Sequence, residues 1–337
     1  MARQGITWQR VRYPRPEAGG DAGAYRLRPA GAPRGRIVAA HGAGSDALFP
    51  LLGIFAPLVH AGFEVFAFDA DGSGWDCTTR LDPAAARSST AAALARAMRG
   101  EPELPTHLLG YSLGGTLLLD TIASPPPYVR SAILLSAPLR VCFGVRSSIA
   151  EMLGFLTVHT LREIRRYGPW GVLPAAGGLK RRAFPYRLSA AHTGAFGYVD
   201  AVQETLRAAD PERAAARAQV PVLLVYGEGD ALVPPSQGER LAELIPRSTL
   251  VRLPRASHWT VPIHPRTARA ALDWIVAHTD AGTRPVSSRD PLIHRSPSTE
   301  TTAPIDSRAS TASGGSPEPT DAAEPVDAVD ARRDARR

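Results

Sequence analysis

The segment HLLGYSLGGTLLLDTI, residues 107–122, changes its apolar pattern once, at Ser112. Up to Tyr111 the run is short and nearly continuous, as in a buried strand. From Leu113 onward the apolar residues fall at helical spacing. Gly110 and Gly114 stand two positions before and two after the serine. A serine at a sharp strand-to-helix turn projects its hydroxyl above the sheet edge, and the strained turn needs small residues at those two places. The helix that follows aims its first amides, and the positive end of its dipole, at the reacting centre. G-x-S-x-G recurs by chance, so its place between a strand and a helix is what gives it weight.

Outward from this turn, short apolar runs alternate with helical patterns. The spacing predicts strands at 36–40, 64–69, 107–111, 131–136, 220–226 and 250–253, and helices at 47–60, 88–99, 113–122, 236–244 and 266–278. Such alternation means an α/β fold with a mostly parallel central sheet flanked by helices. Runs at 6–13 and 24–29 read as a leading hairpin at the sheet edge. About eighty residues separate the strand ending near Ser136 from the one opening at Val220, far more than an ordinary connection. Ile149, Met152, Leu153, Leu156 and Ile164 form a helical stripe there, followed by a Gly/Pro-rich stretch at 167–178 and a second helical pattern at 198–209. The expectation is a largely helical cap inserted at about 139–218.

A serine hydroxyl is a poor nucleophile until a base takes its proton, and the base needs an orienting acid. Gly227-Glu228-Gly229-Asp230 follows the strand at 220–226, and Pro254-Arg255-Ala256-Ser257-His258-Trp259 follows the one at 250–253. Ser112, Asp230 and His258 thus occur in the order Ser, Asp, His expected of this architecture. The other place for the acid, after the strand at 131–136, is empty, because 137–150 contains no Asp or Glu. Glu228 is a second acid beside Asp230, with its side chain expected to point elsewhere. His41-Gly42-Ala43-Gly44 follows the first parallel strand, and the amides of Ala43 and Leu113 are the candidate donors to a developing oxyanion.

Over roughly 24–280 the chain resembles the alpha/beta-hydrolase superfamily. The resemblance rests on HGAG at 41–44, DADGSG at 69–74, GYSLGG at 110–115, GEGDALVP at 227–234 and SHW at 257–259. The cap's position resembles the serine-aminopeptidase and monoacylglycerol-lipase-like branch. This implies an alpha/beta-hydrolase fold, a Ser112–His258–Asp230 triad, and hydrolysis with neither metal nor organic cofactor. Two features depart from that branch: Tyr111 stands where a His is usual, and HGAGSD lacks the acidic-His pair that often follows the first glycines. The expected activity is cleavage of a carboxylic ester or related small acyl substrate through an acyl-enzyme. A peptidase or amidase with the same triad, and a ligand sensor with little turnover, are the alternatives.

Gly42-x-Gly44-x-x-Ala47, with Asp69 at the end of the next strand, also matches a relaxed dinucleotide fingerprint. A nicotinamide oxidoreductase would leave Ser112, Asp230 and His258 unexplained, and one loose fingerprint is weak. Asp69 and Asp71 are read as shaping a turn near the site, and His41 as a packing or loop residue.

The 337 residues are 44% hydrophobic and 21% charged, enough for a sizeable core. Two cysteines, Cys77 and Cys142, exclude a disulfide framework and a zinc ribbon. Residues 1–20 show no apolar core of a secretory signal, and no apolar run nears the ~20 residues of a membrane span. A cytoplasmic protein is expected, with transient contact at a membrane surface allowed. Of 39 basic residues only Lys180 is lysine, and the formal charge is +7. Seven basic residues, Arg162, Arg165, Arg166, Lys180, Arg181, Arg182 and Arg187, fall in the cap segment with Phe143, Phe155, Trp170, Phe184 and Tyr186. No nucleic-acid module accompanies this charge, so nucleic acid is not an expected partner. Residues 281–337 have no aromatic residue, seven Pro and fourteen Ser or Thr. A hydrolase domain over 1–280 and a disordered tail over 281–337 follow.

Overall fold

Alternate residues of each central strand face opposite layers of helices, and both layers are apolar. In the computed structural model, which describes residues 6–15, 20–43, 45–48, 50–71, 81–140 and 194–280, this is seen in every parallel strand except the half-exposed one at the edge, 248–253. Ile37, Ala39, Val65, Ala67, Leu109, Ile133, Leu223 and Val225 face one core. Val38, Ala40, Phe66, Phe68, Leu108, Leu134, Leu224 and Tyr226 face the other. Burial on both faces is why these strands read as continuous apolar runs without polar alternation.

The strands are β1 (Thr7–Pro14), β2 (Asp21–Arg28), β3 (Gly35–Ala40), β4 (Phe63–Phe68), β5 (Thr106–Tyr111), β6 (Val129–Leu135), β7 (Val222–Gly227) and β8 (Ser248–Leu253). They form one eight-stranded sheet in the order β1-β2-β4-β3-β5-β6-β7-β8. The β1–β2 and β2–β4 pairs are antiparallel, and every other pair is parallel. The leading hairpin lies at the edge, as expected. From β3 the chain moves to β4 on one side and then returns to β5 on the other. That reversal opens a crevice at the carboxyl ends of β3 and β5, the place where open α/β sheets bind ligands.

Among the described residues the α-helices are α1 (Leu52–His60), α2 (Pro83–Met98), α3 (Leu113–Ala123), α4 (Gly194–Ala209), α5 (Pro211–Ala216), α6 (Pro235–Leu244) and α7 (Pro265–Asp280). Ile54, Phe55 and Leu58 of α1 and Ala271 and Ile275 of α7 join the first core, while α2, α3, α5 and α6 cover the second. Three helix starts differ from the sequence expectation, α4 opening at Gly194 rather than 198. α1 begins at Leu52 rather than near 47, because the preceding amides are drawn into carboxylates: Ala47 N–H donates to Asp69 at 2.7 Å and Leu48 N–H to Asp46 at 2.9 Å. α2 begins at Pro83 rather than 88. Asp82 caps it, accepting from the amides of Ala84 and Ala85 at 2.9 and 3.0 Å, a contribution of about 1 kcal/mol. Pro83 suits the first turn, where its missing N–H has no partner to lose.

The chain divides into Met1–Ser287 and Ser288–Arg337, and the second unit lies outside the described residues. So do the tail expected at 281–337, both cysteines, and 141–193 with the cap's apolar stripe, aromatics and basic cluster. Of the inserted segment read at about 139–218, the described residues are its two ends, 139–140 and 194–218.

Candidate active site

β5 ends at Tyr111 and α3 begins at Leu113, so Ser112 alone makes the turn between them. Its backbone lies at φ 51°, ψ −125°, a region that costs a non-glycine residue about 1–3 kcal/mol. Hydrogen bonds hold it there. Ser112 N–H donates to the Leu135 carbonyl at 2.8 Å, and the Ser112 carbonyl accepts from Gly115 at 2.8 Å and Thr116 at 3.2 Å. The flanking glycines are required by close approach. A methyl group on Gly110 would stand 2.5 Å from Gly115 Cα, and one on Gly114 would strike the carbonyls of Ala40 and His41.

The residues singled out at 112, 230 and 258 meet. Asp230 follows β7, and its Oδ1 accepts from the amides of Leu232 at 3.1 Å and Val233 at 2.7 Å. That orientation leaves Oδ2 for His258 Nδ1, 2.8 Å away, while His258 Nε2 lies 3.0 Å from Ser112 Oγ. With the proton on Nδ1, the imidazole donates to the carboxylate and accepts from the serine hydroxyl. Ser112, Asp230 and His258 are 8%, 3% and 5% exposed, so these bonds act in a medium that strengthens them. Glu228 does not join them. Its carboxylate lies at the surface, 3.7 Å from Arg252 Nε.

Leu113 is the first residue of α3, where an amide has no carbonyl one turn back within the helix. Ala43 packs against the apolar cluster that contains Leu113, Leu117, Leu81, Ala86, Ala201, Val202 and Leu206. Ala43 thus shares a cluster with Leu113, and the adjoining Gly42 lies against Ser112, where an added methyl would stand 3.0 Å from the serine Cβ. The same cluster brings α4, the described end of the inserted segment, against the first turn of α3. Gly44, between Ala43 and Ser45, lies outside the described residues.

The groups read as shaping the surroundings do so through hydrogen bonds. His41 is buried, with Nδ1 donating to the Gly42 carbonyl at 2.7 Å and Nε2 accepting from Ala70 N–H at 3.0 Å. This ties the turn after β3 to the turn after β4. Burial pushes the Asp69 carboxyl above the usual carboxylate range, against the pull of His41 and of the Ala47 amide. Asp71 accepts from Ser89 Oγ at 2.5 Å and pairs with buried Arg15 at 3.1 Å. Sequence reasoning had no signal for Arg15, whose role depends on the hairpin turn reaching β4. Among the described residues no cluster of His, Cys, Asp and Glu could hold a metal ion, and no helix is long and apolar enough to cross a membrane. A cavity of about 420 Å³ between α2 and α3, with Leu94, Met98 and Leu117 in its walls, has no triad residue in its lining.

A model of the alpha/beta hydrolase family matches residues 37–272, which run from within β3 into α7 and include Ser112, Asp230 and His258. The chain belongs to the alpha/beta hydrolase family. Among curated members, the pimeloyl-[acyl-carrier protein] methyl ester esterase of Neisseria meningitidis serogroup A is 31% identical over 216 residues. That match covers 60% of this chain and 64% of the relative, so the chain spans just under two thirds of that protein. The protein of the same name from a serogroup B strain is 31% identical over 216 residues, and 78% of its length is covered. Among solved structures, a thermophilic esterase from Thermogutta terrifontis is 19% identical with a TM-score of 0.57, covering 80% of this chain and 99% of that one. This last likeness concerns the fold.

Proposed function

We propose that this alpha/beta hydrolase is a serine esterase in which Ser112 is the nucleophile, His258 the general base and acid, and Asp230 the orienting carboxylate. The observation that carries the reading is the continuous path from Ser112 Oγ through His258 to Asp230, with steps of 3.0 and 2.8 Å. Ser112 Oγ attacks the acyl carbon while its proton passes to His258 Nε2, and the carbonyl oxygen takes up negative charge. The amides of Ala43 and Leu113 receive that charge, helped by the amino end of α3. The intermediate collapses, the acyl–oxygen bond breaks, and the leaving alkoxide takes the proton from His258. An acyl group remains on Ser112. Water then gives a proton to His258 and attacks the acyl carbon, releasing the acid and restoring the serine.

Asp230 has one oxygen committed to two backbone amides, so it can hold His258 in one tautomer and stabilise the imidazolium without itself moving. The surroundings of the turn at Ser112 are apolar, with Leu113, Leu117, Val202 and Leu206 in one buried cluster, which favours an acyl substrate over a charged one. The name of the relatives favours a small alkyl ester, such as a methyl ester of an acyl group, over an amide. A hydrolase domain over 1–280 with a cap at about 139–218, and a cytoplasmic location, belong to the same proposal.

A fluorophosphonate probe followed by peptide mapping tests it, with methyl and nitrophenyl esters of increasing acyl length as substrates. Label on Ser112 together with ester turnover is the expected result. Label elsewhere removes Ser112 from the mechanism. Faster turnover of matched amides favours a peptidase, and label without turnover of any ester favours a sensor.

A further inference from the structure

Tyr111 is the last residue of β5, one position before Ser112, and is only 1% exposed. Its ring centroid lies 5.3 Å from that of His258, with the two planes 34° apart. Its hydroxyl donates to the backbone carbonyl of His258 at 3.1 Å. The same ring packs on the turn after β3, where a methyl placed on Gly42 would stand 3.0 Å from Cδ1 and Cε1. One rigid side chain therefore adjoins the nucleophile covalently, the base by a tilted ring contact and a hydrogen bond, and the turn after β3 by packing.

The loop that carries His258 has its own ties on either side of the histidine. Gly229 N–H donates to the Ala256 carbonyl at 2.9 Å, Ser257 N–H to Thr260 Oγ1 at 2.7 Å, and Val261 N–H to the Ser257 carbonyl at 3.0 Å. Asp230 fixes one ring nitrogen of His258 but leaves the imidazole free to tilt about that contact. The phenol bond to the peptide carbonyl and the flat ring against the imidazole remove that freedom. An aromatic face is also attractive to the positive charge that His258 gains when Ser112 loses its proton.

We propose that Tyr111 is a positioning residue for the base: it holds His258 so that Nε2 stays on Ser112 Oγ and, after proton transfer, on the leaving-group oxygen. The inference rests on the reading of Ser112, His258 and Asp230 as a triad.

The test compares wild type with Tyr111→Phe, which keeps the ring and removes the hydroxyl, and with Tyr111→Leu, which removes both. The first readout needs no natural substrate. A fluorophosphonate forms an Oγ–P bond on Ser112, fluoride leaves, and the serine proton goes to His258, so the labelling rate reports the placement of the base. Tyr111→Phe should label about tenfold more slowly, the scale of one lost hydrogen bond. Tyr111→Leu should label about a hundredfold more slowly, the scale of an ångström of misplacement. The second readout is the leaving group. Alkoxide departure needs the proton of His258 and nitrophenolate departure scarcely does, so kcat/KM, which reports acylation alone, should fall further for a methyl ester than for the matched nitrophenyl ester. Equal losses on the two esters would overturn the positioning role. So would wild-type labelling by Tyr111→Phe, which stands alone as the test if Tyr111→Leu fails to fold. A wild-type protein that takes no label on Ser112 would instead overturn the triad reading and this inference with it.

Discussion

Two clusters at opposite ends of the parallel strands, one around Glu64 and one around Ser112, bury polar groups in different ways. At the amino end, Glu64 of β4 is fully enclosed, with Arg28 Nε at 2.6 Å, Arg36 Nε at 2.9 Å and Arg26 Nε at 3.6 Å. Arg36, itself buried, continues to the Glu101 side chain at 3.2 Å and the Glu101 carbonyl at 3.2 Å. At the carboxyl end, Asp230, His258 and Ser112 are as deeply buried, but one carboxylate faces one imidazole and one hydroxyl on a strained backbone. Full charges of both signs hold each other still around Glu64. Around Ser112 a single mobile proton has somewhere to go. Burial of a polar group is therefore no mark of function by itself. What distinguishes the catalytic candidates is that their partners can exchange a proton.

The contrast breaks most severely at Ser112. Ser112→Ala should lower ester turnover by about 10,000-fold or more while the melting temperature stays within a few degrees, since the change opens no cavity. Retained activity in a folded variant would place the chemistry elsewhere. Asp230→Asn should cost about a thousandfold in kcat, because the amide favours the wrong imidazole tautomer. Glu228→Gln, at the exposed neighbour, should leave kcat within about twofold, the expectation for a surface residue outside the site. If Glu228→Gln proves the more damaging change, the acid has been misassigned.

At the opposite end the loss should appear in stability. Glu64→Gln leaves Arg36 and Arg26 buried with less counter-charge and should lower unfolding free energy by about 3 kcal/mol. The kcat of the molecules that remain folded should not change. A kcat loss without loss of stability would show that the two ends are coupled and that the comparison fails.

A smaller effect concerns pH. His107 lies in β5, its Nδ1 2.8 Å from Ser131 Oγ and its Nε2 2.9 Å from Thr279 Oγ1. Burial, reinforced by His278 and Arg130, lowers its pKa from 6.5 to about 3. Between these values the unfolded chain binds a proton that the native state does not, so stability is full above the unfolded value and falls with pH below it. At pH 5 the loss is about 2 kcal/mol relative to pH 8. Denaturant unfolding of wild type and His107→Gln at the two pH values measures it, and the difference between pH 8 and pH 5 should shrink by that amount in the variant. An unchanged difference would mean that His107 does not couple folding to protons.

Much of this was legible in one dimension because its causes are local. The elbow is fixed by glycines that must stand two positions from Ser112, where a Cβ would collide with neighbouring backbone. The buried strands announce themselves through unbroken apolar runs, and the helices between them through spacing. The order Ser112, Asp230, His258 follows from which strand ends carry them. Helix starts were harder to read. The first turns of α2 are rich in Ala and Ser and lack an apolar stripe, so its beginning is marked by Asp82-Pro83 instead.

The sequence by itself determined the layered α/β arrangement, the turn at Ser112, and the identity of the base and acid candidates. Only the tertiary structure decided that β3 lies between β4 and β5, which brings the turns at 43, 112, 230 and 258 to one edge. Only it decided that the Tyr111 phenol reaches a carbonyl 147 positions away, that three arginines close on Glu64, and that His107 is held neutral. The physical reason is that periodicity and turn sterics act over a few residues. Strand order and register are chosen by burial summed over the whole chain, and they alone set which distant side chains meet.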